Sequence, residues 1–188
     1  MNRPPSTGAA PESTNQWQLI GEHDMTSPDI PSIIRPFWDS FVAAVDLDPP
    51  PEFSEAFFFG DNERVTNELA ELVLIGTERA TTSLLWAYEA DSDSIPRPGA
   101  FSVVTDWDGR PLCVIETTQV DVMPYQDVTE EFAAVEGEGG GSLRHWREVH
   151  WDAFSRECAQ IGKAPAPRMQ VICERFEVVY RLGARTSG

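Results

Sequence analysis

Cysteine is scarce and unpatterned in this chain. Cys113, Cys158 and Cys173 are odd in number, far apart and without CxxC spacing. That excludes the disulfide framework of a small secreted domain and leaves reduced, buried thiols as the expectation. Long apolar runs are also missing. No segment approaches the roughly 20 continuous apolar residues needed to cross a bilayer, and the N-terminus lacks the basic-then-apolar secretory pattern. A cytoplasmic protein with no membrane partner is expected. Basic side chains are few: Lys and Arg number 14 against 31 Asp and Glu, a formal net charge of -17 at pH 7. Proteins that wrap duplex DNA draw affinity from Lys and Arg neutralising phosphates, so the deficit argues against that class while leaving room for a small local nucleotide site. The acidity is regional, with 12 acidic and 3 basic side chains in residues 1–70, 13 and 3 in 71–136, and 6 and 8 in 137–188. The chain has no Walker loop, dinucleotide fingerprint, GxSxG or HExxH motif. His145 and His150 are five apart, His23 is remote, and no metal site or bound cofactor is expected.

What is present is enough to bury a core. The chain has 188 residues, 41% of them hydrophobic, with 10 phenylalanines and 6 tryptophans. One domain over residues 27–182 is the natural expectation, between a Pro/Ser/Thr/Gly-rich tail at 1–26 and a short tail at 183–188. Ser27, Pro28 and Asp29 resemble a helix start, and Ile30, Ile33, Ile34, Phe37, Trp38, Phe41, Val42 and Val45 follow at three- and four-residue spacing, interrupted by Pro36. A second helix is predicted from Asp61 or Asn62, with a stripe of Val65, Leu69, Leu72 and Val73 and a stop at Gly76. The run "TTSLLWAYEA" predicts a further short helix capped by a threonine.

The period then falls from near four to near two. "AFSVVTDWDGRPLCVIETTQVDVM" predicts two strands joined around Asp108-Gly109. Both faces of the second strand carry polar residues, which suits a small barrel with a partly solvated interior better than a sealed sandwich. "PYQDVTEEFAAVEG" is helical at its centre and leads into "EGEGGG". Ser142 then offers a cap to a long helix marked by Leu143, Trp146, Val149, Ala153, Phe154 and Ile161 and ending at Gly162. His150 falls on or beside that face. The last strand, "APAPRMQVICERFEVVYRL", changes alternation near Glu174-Arg175, where a bulge is expected.

Two stretches concentrate polar chemistry. Past Gly76, Arg79 stands beside the hydroxyls of Thr81, Thr82 and Ser83. These residues serve either as caps and turn bonds, or as a donor fork and hydroxyl for a phosphate or carbonyl. Glu131, Glu136 and Glu138 lead into the glycines: a solvated loop, or a carboxylate available as general base or acceptor where glycine lets a ligand approach. "SLRHWREVH" adds Arg144, His145, Arg147 and His150, with Trp146 and Trp151 as core residues or platforms for a base.

The ordered blocks "ELVLIGTERATTSLLWAYE", "RPGAFSVVTDWDGRPLCVIETTQVDVMPYQDV" and "EEFAAVEGEGGGSLRHWREVHWDAFSRE" resemble the ASCH domain family, and within it the YhfF-like branch, over roughly residues 30–182. The resemblance implies an α+β, PUA-like fold, a small curved β-barrel with surrounding helices. It also implies binding of RNA or a modified nucleoside or nucleotide. Some members of the family hydrolyse the acetyl amide of N4-acetylcytidine and others are ribonucleases. The family signature GxKxxTxS/R falls on Gly76, Glu78, Thr81 and Ser83, with Glu78 in place of the signature lysine. A carboxylate cannot act as the positively charged amine of the amidohydrolases, and Arg79, one residue later, cannot readily lose a proton. The family glutamate falls at Glu136, with Glu138 next.

The expected site is thus a polar cleft lined by Gly76, Glu78, Arg79, Thr81, Ser83, Glu136, Glu138, Arg144 and Trp146. In it Arg79 or Arg144 meets phosphate, Thr81 orients a polar group, and Glu136 recognises an amino group or acts as base. Ligand binding, hydrolysis with Glu136, Thr81 and Arg79 as catalytic residues, and a degenerate protein-contact domain are the three readings the sequence supports. The charge logic turns on whether Glu78 faces the cleft or solvent.

Overall fold

The computed structural model describes residues 29–181. The elements run α1 (Arg35–Ala44), β1 (Phe53–Phe57), α2 (Glu63–Ile75), β2 (Ala80–Leu84), α3 (Leu85–Asp91), β3 (Phe101–Thr105), β4 (Pro111–Pro124), α4 (Glu130–Glu136), α5 (Leu143–Gln160) and β5 (Gln170–Arg181), with single 3-10 turns before and after α4. The strands form one five-stranded mixed sheet in the order β1-β3-β4-β5-β2. β1 pairs parallel with β3, and the other pairs are antiparallel.

This architecture corrects the expectation of a curved barrel. Closure requires the two end strands to hydrogen-bond to each other, whereas β1 pairs with β3 and β2 with β5, leaving both as edges of an open sheet. The mixed polarity of β4 has another cause: helices cover both faces. Cys113 and Ile115 pack with Val73 of α2, while Val114 packs with Phe37, Trp38 and Phe41 of α1. α4 and α5 lie on the α1 side, at the β5-β2 end, around Trp146, Phe154, Cys158, Val171 and Cys173. All three cysteines are buried and free, as core residues.

Local signals placed several boundaries. Asn62 caps α2 through the Val65 N–H at 3.1 Å, and Gly76 ends the helix at φ 79°. Thr129 caps α4 and Ser142 caps α5. The first helix differs from expectation. The expected cap and first helical residue, Ser27 and Pro28, lie outside the described residues, and the helix starts at Arg35 with Pro36 in its first turn. A missing N–H is harmless there, so Pro36 opens the helix and does not interrupt it. The hydroxyl run forms strand β2, not a helix start, and α3 begins after it with no side-chain cap. On α5 the buried row is Trp146, His150, Phe154 and Cys158, and Val149 faces outward at 38% exposure. The irregularity near Arg175 lies on the partner strand: Thr117 pairs with Phe176 and Gln119 with Arg175, so Thr118 is the extra residue. Its hydroxyl donates to the Arg175 carbonyl at 3.1 Å. No helix among the described residues is long and apolar enough to cross a membrane.

Candidate functional site

The entry into β2 is pinned on both sides. After Gly76 the N–H groups of Thr77 and Glu78 both return to the Leu72 carbonyl, the Arg79 N–H donates to Val135 at the end of α4, and the Arg79 carbonyl accepts from Phe176 of β5. The strand is therefore fixed in register, with Thr81 opposite Glu174 and Thr82 opposite Cys173. Alternation then sends Ala80, Thr82 and Leu84 toward α4 and α5, and Thr81 and Ser83 toward the other face, which α2 covers further along the sheet.

On the α4-α5 side Glu136 is the hub. It is 1% exposed, and its Oε2 accepts from the Thr82 hydroxyl at 3.1 Å and from the Trp146 indole N–H. Its Oε1 lies 3.3 Å from Nε2 of His150, whose ring stacks on Trp146. The other ring nitrogen, Nδ1, is 3.0 Å from the Trp146 carbonyl, an acceptor, so Nδ1 carries a proton. A protonated Nε2 donates to the Glu136 Oε1. Burial works to lower the His150 pKa, but the charge and hydrogen bond of Glu136, the charge of Glu138 and the Trp146 carbonyl outweigh it and raise the group above its ordinary value. Glu136 ties β2, α4 and α5 together.

Glu78 points inward. It is 1% exposed, and burial, then the charges of Glu138 and Glu136, push its pKa up to about 10, so it is a neutral acid at pH 7. Its Oε2 has no hydrogen-bond partner among the described residues. Glu138 also titrates above the ordinary carboxyl range, chiefly through burial, against the opposing pull of His150. The glycine loop makes this crowding possible. A Cβ on Gly137, at φ 76°, would stand 2.8 Å from the Thr77 carbonyl oxygen, and one on Gly139 would overlap the His145 ring at 1.9 Å.

The opposite face carries a second, more accessible group of polar residues. Glu174, 8% exposed, accepts a 2.6 Å hydrogen bond from the Thr117 hydroxyl. Thr81 stands beside Glu174 on the neighbouring strand. Ser102 of β3, 4% exposed, pairs with Ile115 and so shares this face. Glu55 of β1 is pushed up to about pKa 7 by burial and then by the charges of Glu174 and Asp93, so near neutrality it is poised between acid and carboxylate. Tyr88 of α3 lies beside Ser83. Burial, then the charge of Glu55, drives its phenol well above its usual range, with Ser83 opposing. β1, β3, β4, β5, β2 and helix α3 thus each contribute a polar side chain to this half-buried group.

The residues singled out from the sequence fall into separate places. Glu78, Glu136, Glu138 and Trp146 gather on the α4-α5 side, where Trp146 is a core residue whose N–H serves Glu136. Thr81 and Ser83 share the face of Glu174, and exposed Arg79 precedes them at its end of β2. Gly76 is the helix stop. Arg144 lines a shallow surface depression with Glu130, Leu143, Arg147 and Glu148, apart from both groups. Sequence reasoning missed Glu55, Tyr88, Thr117 and Glu174, which are scattered over four elements and meet only through sheet pairing. It also passed over Thr82 as the partner of Glu136. A spacing of two from Ala80 to Leu84 is the signal that separates Thr82 from Thr81.

Chemically this group offers the Glu174 carboxyl, raised above its ordinary value by burial against the opposing Thr117 hydrogen bond, the Glu55 carboxyl, a phenol and the Thr81 and Ser83 hydroxyls, a set that donates to and accepts from an uncharged polar edge. Among the described residues no group of His, Cys, Asp and Glu side chains could hold a metal ion. A model of the ASCH domain matches residues 55–180, a span that contains both polar groups. An ASCH domain from Lactobacillus crispatus JV V101 is 36% identical, with 81% of this chain and 97% of that chain covered at a TM-score of 0.75. A protein of the DUF984 family from Enterococcus faecalis V583 is 33% identical over 78% of this chain and 88% of its own, at a TM-score of 0.68. The curated proteins contain no match. The match over most of the folded span, together with the structural likeness along nearly the whole length of the first relative, establishes that this chain belongs to the ASCH domain family.

Proposed function

We propose that this protein, a cytoplasmic member of the YhfF-like branch, binds RNA or a nucleotide-like ligand in a polar groove on the Glu174 face of the sheet, between β2 and α3. One observation carries the reading: Glu174, buried against Thr117, lies beside the half-titrated Glu55 and the hydroxyl of Thr81. Carboxylates repel phosphate and accept from amino groups, so a base edge meets Glu174 and Glu55, while Thr81, Ser83 and Tyr88 take its remaining polar atoms. Arg79, exposed at the start of the strand, is the cation placed to meet a phosphate.

Isothermal titration with the four ribonucleosides, their 5′-monophosphates and a short single-stranded RNA tests this. Saturable binding by at least one, weakened about tenfold or more in Glu174→Gln as expected for a lost charge-assisted hydrogen bond, supports the groove. No binding by any of them, from folded protein, supports the protein-contact reading instead.

Hydrolysis is a second reading, favoured by Glu55. A carboxyl with a pKa of about 7 is matched to general acid–base work at neutral pH. Glu136, which the family resemblance nominates, already has both oxygens committed inside the fold. Turnover of N4-acetylcytidine or single-stranded RNA that disappears in Glu55→Gln and survives in a folded Glu136→Gln assigns the chemistry to the groove. Absence of turnover of either substrate sinks the hydrolytic reading.

A further inference from the structure

With 14 Lys and Arg against 31 Asp and Glu, a guanidinium left without a carboxylate is the exception to explain. Arg35, Arg64, Arg110, Arg156 and Arg175 each form an ion pair. Among the described residues Arg144 and Arg147 form none, although Glu130 and Glu148 line the same depression of about 530 Å³ together with Ser142 and Leu143. The two arginines stand one turn apart on the exposed side of α5. Arg147 is held in place: its Nη2 donates to the Gln126 carbonyl at 3.1 Å, and its own carbonyl accepts from the Tyr125 hydroxyl at 2.5 Å. The N–H groups of Tyr125 and Gln126 in turn donate to the Met169 and Pro167 carbonyls at 2.8 and 2.9 Å. These bonds tie the start of α5 to the entry of β5 and set exposed Arg168 beside the same turn.

We propose that Arg144 and Arg147 form a binding site for the phosphate group of a phosphomonoester, at the start of α5 and independent of the Glu174 group. A guanidinium offers a planar fork of N–H donors that matches two phosphate oxygens at once. Arg147 spends one donor on Gln126, which fixes its orientation, and the rest of its fork is unspent. The surrounding acids narrow the ligand class. Asp127, Glu130 and Glu148 are exposed around the two arginines, so the successive phosphates of a nucleic-acid strand would meet carboxylates on either side. A single terminal phosphate, with about −1.5 to −2 charges and three acceptor oxygens near pH 7, concentrates its charge where the two forks converge. The depression lies within the range of about 300–1,000 Å³ usual for small-molecule sites, with room for a small substituent behind the phosphate.

Titration of the full chain with methyl phosphate at pH 7.5, at ionic strength held constant with sodium chloride and followed by NMR of backbone amides and arginine Nε–H groups, tests the site. Saturable shifts are expected at Arg144, Arg147 and residues 142–148. Binding is expected to weaken about tenfold or more in Arg144→Gln and in Arg147→Gln, whose spectra also report that the fold is intact. Arg144→Lys keeps the charge without the fork, and is expected to lose affinity several-fold. Shifts that do not saturate, that appear equally at Arg97 and Arg110, or that persist undiminished in both glutamine variants overturn the proposal, as does an Arg144→Lys protein that binds like the wild type. Methyl phosphate carries no base, so a failure here leaves nucleoside binding through Glu174 standing, and a failure of nucleosides to bind leaves this site standing.

Discussion

At the scale of single residues, Glu136 and Glu78 differ by their partners, not their burial. Both are 1% exposed, but Glu136 accepts from Thr82 and Trp146 and pairs with His150, whereas Glu78 has a bare Oε2. Glu136→Ala leaves three donors without an acceptor and is expected to destabilise the protein by about 3–5 kcal/mol, measured by urea unfolding. Glu78→Gln is expected to do the reverse at high pH. Its folded pKa of about 10 lies above the ordinary glutamate value of 4.5, so the folded state holds the proton more tightly than the unfolded state. The associated stability is fully present below about pH 4.5 and is lost as pH rises toward 10. The variant should therefore flatten the decline of stability between pH 6 and 9, gaining on the order of 1–3 kcal/mol at pH 8. His150 has the same sign: its raised pKa contributes stability at acid pH that fades as the imidazole deprotonates. The sequence made the inward or outward direction of Glu78 the question to ask, but it could not answer it, because position 78 precedes the strand whose alternation fixes its neighbours.

Elements closed by local chemistry were legible, and those fixed by distant pairing were not. Asn62 and Gly76 bracket α2 as expected, since a capping side chain and a left-handed glycine act within one turn. Asn62→Ala should cost about 1 kcal/mol in chemical denaturation. The sequence of β2 reads as a turn and helix start because Thr-Thr-Ser satisfies both a cap and a strand, and its ladder with residues 171–175 lies some ninety positions away. The same ladder decides that Thr82, not Thr81, reaches Glu136. The glycine loop is the element on which the inner cluster depends. Gly137→Ala combines a positive φ with a 2.8 Å approach to the Thr77 carbonyl, and is expected to lower stability by about 1–3 kcal/mol and broaden the NMR signals of residues 76–82.

Across the whole molecule, two helical faces and an open sheet replace the expected barrel. Polar residues on both faces of β4 suggest a solvated interior in the sequence, but Thr117 is buried and spent on Glu174, and the flanking positions are sealed by α1 and α2. What the chain does place on one side is a group of polar residues drawn from β1, β4, β5, β2 and α3, no two of which outside β2 share a recognisable motif. That group, not the buried Glu136 hub, is where RNA or nucleotide binding is proposed. The most direct measurement is isothermal titration of ribonucleosides and nucleotides into wild type, Glu174→Gln and Glu78→Gln. The account predicts saturable binding to wild type, a loss of about tenfold or more in Glu174→Gln, and little change in Glu78→Gln. Binding that persists in Glu174→Gln and vanishes in Glu78→Gln would move the ligand to the other side of β2 and contradict it.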